Sequence, residues 1–189
     1  MRLALREAAR APEHDDVPIG AVVVHAGEVI GVGHNEREVR SDPTAHAEMI
    51  ALREAARAPA HDDVPIGAVV VHGGEVIGVG HNERELRSDP TAHAEMIALR
   101  EAARALSSWR ILDSVMYVTL EPCAMCAGAI VLARLPRVVY GATDPTAGAA
   151  GSVLDVLAEP RLNHRPQVES GLLAEECAEL LRGFFAPRR

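Results

Sequence analysis

A stretch of 47 residues is written twice in this chain: residues 5–51 recur as residues 52–98, and the copies differ only at Glu13/Ala60, Ala26/Gly73 and Val39/Leu86. Any fold must therefore use the same unit twice, or use it once and carry the other copy as surplus. Two units are fewer than the three or so that a solenoid needs. The similarity continues briefly, Leu52–Ala58 returning as Leu99–Ala105, and everything after about residue 106 is unrepeated. Such near-identity reads as a recent or engineered duplication, since old repeats drift apart at surface positions.

Each copy carries a definite pattern. Residues 17–24, rich in Val and Ile, predict a strand; His25-Ala26-Gly27 turns the chain, and residues 29–33 predict the return strand of a hairpin. A polar loop over Asn35–Thr44 leads to a helix from about Ala45 to Ala58, which Pro59 stops. The second copy predicts strands near 65–71 and 75–80 and a helix near 92–106. The unrepeated part alternates element types. A strand is expected at 114–119, a helix from near Cys123 to Arg134, a strand at 137–141, a short helix near 152–158 and a terminal helix at 172–185. The segment 162–170 reads mostly as loop with room for a short strand. A hairpin followed by helix–strand alternation is α/β, one mixed sheet covered on both faces.

Composition narrows the class of function. With 189 residues, 48% hydrophobic and 24% charged, the chain is an ordinary globule of one domain or one domain plus an appendage. Charged residues interrupt every apolar run, so no membrane span is expected. Acid within the first turns of a helix-like start argues against a secretory signal, and we expect a cytoplasmic protein. The 19 basic residues are all arginine, and the formal charge of −8 argues against nonspecific, charge-driven binding of nucleic acid such as DNA.

The chemistry sits in two short motifs. His93-Ala94-Glu95 opens one helix, and Pro122-Cys123-Ala124-Met125-Cys126 opens the next helix after a strand. His93, Cys123 and Cys126 make three zinc ligands of the right softness, with a fourth position left for water. Both groups lie at helix N-termini, where free backbone N–H groups and the helix dipole favour thiolate over thiol at the cysteines. Glu95, two residues past the histidine, is placed to shuttle protons for a zinc-activated water; H-x-E with P-C-x-x-C is the pattern of zinc nucleobase deaminases. The blander alternatives fit less well. Half of a four-cysteine structural site lacks its other half, because Cys177 is the remaining cysteine and lies among leucines as a core residue. A redox pair leaves His93-Ala94-Glu95 unexplained. His61, His72 and His81 read as surface or loop residues, although His81 adjoins Asn82.

Over residues 59–189 the chain resembles the bacterial tRNA adenosine deaminases of the cytidine deaminase-like superfamily. The resemblance runs through Val64–Val71, Gly80-His81-Asn82, Asp89–Met96, Tyr117–Ile130, Arg137–Ala142, Gly148–Ser152 and Leu162–Arg165. It implies a three-layer α/β/α sandwich around a mixed five-stranded sheet, one Zn2+ per chain, and hydrolytic conversion of the wobble adenosine (position 34) of a tRNA-Arg anticodon to inosine. It further implies that Asn82 contacts the flipped nucleoside, that the Ala94 amide lies near the reacting water, and that the protein is a homodimer with the tRNA loop splayed across both subunits. Arg137, Arg165, Arg182, Arg188 and Arg189 are candidate phosphate contacts. One departure is Asp144-Pro145-Thr146-Ala147, where the family often carries a lysine, so some RNA affinity is missing or supplied elsewhere.

With one Pro-Cys-x-x-Cys, His46-Ala47-Glu48 and His93-Ala94-Glu95 compete for a single site. The second copy should win, because His46 would require residues 59–105 to be expelled as one insertion. The expected organisation is a deaminase domain over 45–189 and a surplus helix and hairpin over 1–44, loosely ordered, swapped or added to a sheet edge. Two rival functions remain at this point: a zinc deaminase of a free nucleobase or nucleoside of guanine or cytosine type, and a non-catalytic RNA-binding or dimerisation subunit.

Overall fold

The computed structural model describes residues 20–25, 28–34 and 62–188. The chain divides into two units, residues 1–58 and 59–189. In the first unit β1 (Gly20–His25) and β2 (Glu28–His34) form an antiparallel hairpin, with a register irregularity between Val23 and Val24. The helices expected over the first residues and over 45–58, and the histidine of the first His-x-Glu, lie outside the described residues.

The second unit holds a five-stranded mixed sheet in the order β4-β3-β5-β6-β7. β3 (Gly67–His72) and β4 (Glu75–His81) repeat the β1–β2 pairing position for position, including the irregularity, here between Val70 and Val71. Their connection needs positive φ at two successive residues, and Gly73 (57°) and Gly74 (86°) provide it without a Cβ penalty. β5 (Ser114–Leu120) runs antiparallel to β3 and parallel to β6 (Arg137–Ala142), which pairs in parallel with β7 (Gln167–Ser170). The parallel β5–β6 pair requires a crossover, and α3 (Ala124–Leu132) supplies it.

Helices cover both faces. Ala68, Val70, Met116, Val118 and Val138 share one core with Ala98, Leu99 and Ala102 of α2 (Ala94–Ala105) and with Ala127, Ile130 and Val131 of α3. On the opposite face α4 (Ala174–Phe185) packs on β6, where Gly141 leaves room for the buried Cys177 sulfur. This is the expected three-layer sandwich. Cys177 is therefore 2% exposed and packed into the sheet. Among the described residues no helix is long and apolar enough to cross a membrane.

The α2–β4 contact is unusually close. A Cβ on Gly78 would lie 2.3 Å from the Ala98 carbonyl oxygen, and one on Gly80 would lie 2.9 Å from the Ala98 backbone nitrogen. Glycine on the strand and alanine on the helix let backbone rest almost on backbone, and this fixes the position of the α2 N-terminus.

Two local expectations fail. The polar loop before α2 contains a short helix, α1 (Arg84–Arg87), whose Glu85 and Leu86 N–H groups donate to the Asp63 carboxylate at 3.2 and 3.3 Å. The short helix expected near 152–158 does not form. There the Ser152 N–H donates to Glu121 and the Leu154 N–H to the Gly148 carbonyl, so the donors are spent on non-helical partners.

Candidate active site and metal centre

Two helix starts meet at the centre of the site. His93 is the N-cap of α2 and Cys123 the N-cap of α3, both with extended backbone, and Cys126 lies in the first turn of α3. The sulfurs of Cys123 and Cys126 stand 3.7 and 3.6 Å from His93 Nδ1. All three candidate ligand atoms lie within 4.8 Å of one another. A tetrahedral zinc with Zn–S of about 2.3 Å and Zn–N of about 2.0–2.1 Å requires N···S edges of about 3.6 Å. The donor set and its spacing therefore fit zinc.

The electrostatics of the metal-free residues agree with that use. A hydrogen bond from the Cys126 thiol holds the Cys123 thiol down to about 4, against burial and with help from His93. The same bond, together with burial, pushes the Cys126 thiol upward. The neighbouring Cys123 sulfur raises His93. Glu95, 4% exposed in the first turn of α2, is pushed up to about 7, chiefly by burial, with its own backbone N–H opposing and the Cys123 charge adding.

His93, Glu95 and Cys123 border a cavity of about 350 Å³, within the size range of small-ligand sites. His93, Glu95 and Cys123 reach it from the helix starts, Val64, Ile66 and Leu120 give it an apolar wall, and residues 143–147 form a further side. Leu181 and Phe185 of α4 also line it. Asn82, 5% exposed, faces the same space. Its Oδ1 accepts the Ala94 N–H at 3.0 Å, which leaves the amide NH2 as the group it offers to a ligand. The Ala94 N–H, expected beside the reacting water, is thus engaged in orienting Asn82.

Of the candidate arginines, Arg137 pairs with Glu169 across β6–β7 at 2.8 Å, and Arg182 pairs with Glu175. Arg165 is exposed, Arg188 falls in the terminal 3-10 turn, and Arg189 lies outside the described residues. Of these, Arg137, Arg165 and Arg182 do not line the cavity, whereas Arg84 of α1, which the sequence did not single out, does. A second missed residue is Glu121. It is 2% exposed, accepts backbone N–H groups from residues 144, 150 and 152, and lines the cavity. A carboxylate at the end of an apolar strand, directly before Pro-Cys, was its only signal.

The fold and this site define a zinc-dependent deaminase. The MafB19-like deaminase family matches residues 55–189, and the zinc-binding region of cytidine and deoxycytidylate deaminases matches residues 1–63. A tRNA-specific adenosine deaminase of Bacillus subtilis (strain 168) is 49% identical over 189 residues, covering 100% of this chain and 88% of its own length. A protein of the same description from Haemophilus influenzae is 46% identical, covering 100% of this chain and 83% of its own. A structure solved in work on A-to-I editing by tRNA:A34 deaminases superimposes with a TM-score of 0.61 at 36% identity, over 96% of this chain and 97% of that one. A point mutant of NE0047 bound to 8-azaguanine aligns with a TM-score of 0.61 at 27% identity, over 75% of this chain and 84% of that one. The chain belongs to the tRNA-specific adenosine deaminase family.

Proposed function

We propose that this enzyme hydrolyses the wobble adenosine (position 34) of a tRNA-Arg anticodon to inosine. The observation that carries the reading is Glu95, buried beside the His93–Cys123–Cys126 triad and bordering a cavity of about 350 Å³. Zinc held by the triad, when bound, supplies the Lewis acidity that makes a water nucleophilic near neutral pH. The water oxygen adds to C6 of the base, the C6–N6 bond breaks, and ammonia leaves. Glu95 takes one proton from the attacking water and gives it to N1, then takes the second from the new C6 hydroxyl and gives it to the departing N6 amine, which leaves C6=O and N1–H. The Asn82 amide donates to an acceptor on the nucleoside, its orientation held by the Ala94 N–H. The apolar wall at Val64, Ile66 and Leu120 excludes water from the base.

Homodimerisation, a cytoplasmic site of action, and the role of the arginines as phosphate contacts belong to the same proposal. So does the organisation of the chain, with a complete deaminase domain over 45–189 and a surplus segment over 1–44. A buried carboxylate beside the ligands has no use in a non-catalytic subunit, which argues against that rival.

A second reading, deamination of a free purine, draws on the likeness to NE0047, whose structures hold 8-azaguanine and 2,6-diaminopurine. One experiment separates the two. Zinc-loaded protein is incubated with an anticodon stem-loop carrying wobble adenosine, and separately with free guanine, and the products are scored for inosine and xanthine. Inosine that vanishes in Glu95→Ala is the expected result. Xanthine without inosine would replace the proposal with the second reading.

A further inference from the structure

We propose that Glu121 is a positioning residue whose carboxylate sets the pocket segment 143–147 against the Cys123 side of the site. The inference rests on the deaminase reading of that site and adds to it a residue outside the zinc and proton machinery.

The geometry is specific. Glu121 Oε2 accepts the Asp144 N–H at 3.0 Å, where the pocket segment begins. Oε1 accepts the Ala150 and Ser152 N–H groups at 2.9 and 3.1 Å, where the same loop returns. One carboxylate thus ties both ends of the loop to the last turn of chain before Pro122-Cys123. Between those ends Asp144 Oδ1 accepts the Thr146 N–H at 2.8 Å and the Ala147 N–H at 3.2 Å, so the segment that faces the cavity is itself braced. The loop is laced to the ligand segment by an Ala149 N–H to Pro122 carbonyl bond of 2.8 Å and by the Cys123–Gly148 bridge.

The fit leaves no slack. A Cβ on Gly148 would lie 2.4 Å from both Cδ and Oε2 of Glu121 and 2.2 Å from Ser152 Oγ. Gly148 is therefore the residue that lets the backbone close over the carboxylate. Two oxygens serving three N–H groups cannot be replaced by an amide. Whichever way a glutamine turns, its NH2 opposes either the Asp144 N–H or the Ala150 and Ser152 N–H groups. Residues 143–147 line the cavity and supply neither a metal ligand nor the buried acid, so their displacement should weaken ground state and transition state together.

The test uses Glu121→Gln in the full chain. We expect KM for the anticodon stem-loop to rise about tenfold or more while kcat changes by less than about threefold. Zinc should stay at one per chain. Amide exchange, which needs no substrate, should quicken at Asp144, Ala150 and Ser152 together and not in α2. Loss of zinc, or a fall in kcat at unchanged KM, would overturn the inference. Should that variant not fold, Gly148→Ala presses on the same carboxylate and is expected to raise KM in the same way. Exchange in the wild-type protein decides independently: the three amides should be protected together, and free-loop exchange at any of them sinks the idea. Wild-type protein that makes no inosine counts against the proposed substrate, while the exchange comparison still decides the role of Glu121.

Discussion

Gly80 of β4 lies so close to α2 that a Cβ built on it would stand 2.2 Å from the carbonyl oxygen of Ala94. Ala94 sits between His93 and Glu95, so this one strand position holds the metal ligand and the buried acid at their depth. Gly80→Ala must push the helix outward, and overpacking of this kind costs about 1–3 kcal/mol. The expected outcome is a lowered Tm and weakened zinc retention on dialysis against a chelator. Gly128, in α3, has nothing within 4 Å of its would-be Cβ. Gly128→Ala should leave zinc in place and raise stability by about 0.5–1 kcal/mol. A Gly80→Ala protein with wild-type zinc affinity would refute the account of how α2 is placed.

Glu95→Gln removes the acid without removing a zinc ligand. We expect kcat to fall by about 10²–10⁴-fold, the usual worth of a general acid–base group. Zinc content, measured by atomic emission, should remain at one per chain.

Removal of zinc exposes a differential between the two cysteines. The Cys123 thiol is held down to about 4 by its bond from Cys126, and the Cys126 proton is held on. A lowered pKa leaves the thiolate in place above that value, so iodoacetamide should label metal-free protein at Cys123 with little pH dependence between about pH 6 and 8. An ordinary thiol, near 8.5, gains reactivity across that interval. Peptide mapping should find Cys126 and Cys177 unlabelled and zinc-loaded Cys123 protected.

The two His-x-Glu copies are distinguished by single substitutions. His93→Ala should abolish zinc binding and inosine formation, whereas His46→Ala should alter neither. Deletion of residues 1–44 is expected to keep both. Zinc binding that survives His93→Ala and is lost on the further change His46→Ala would assign the site to the first copy.

Much of the sheet was legible because its signals are local. β-branched runs placed β3, β4, β5 and β6 to within about two residues, and the helix expected near 92–106 is α2 at Ala94–Ala105. The ligand triad was legible because each ligand sits in a short motif at a helix start. What escaped depends on partners far along the chain. α1 forms where the Asp63 carboxylate receives N–H groups 22 and 23 residues away. The helix expected near 152–158 is missing because Glu121, 31 residues before Ser152, takes that N–H first. β7 forms within the segment 162–170 where room for a short strand was expected, but its bounds were not legible, because all four of its residues are exposed and it exists by pairing with β6.

The matched registers of β1–β2 and β3–β4 make folding a contest between two equal claimants for one edge of β5. Sequence identity along the strands gives neither an advantage, so the outcome falls to the connections. The second hairpin must close residues 82–113 onto β5 and the first residues 35–113, a difference in loop entropy of about 0.8 kcal/mol, roughly a factor of four. The turn adds to it. Gly73 meets the positive φ that the β3–β4 connection demands, where an alanine, the residue that the first copy's sequence has at position 26, would cost about 1 kcal/mol. A single methyl group and some extra chain are thus what separate the working arrangement from its near-twin. Refolding should carry a minor slow phase from molecules that begin with the wrong one.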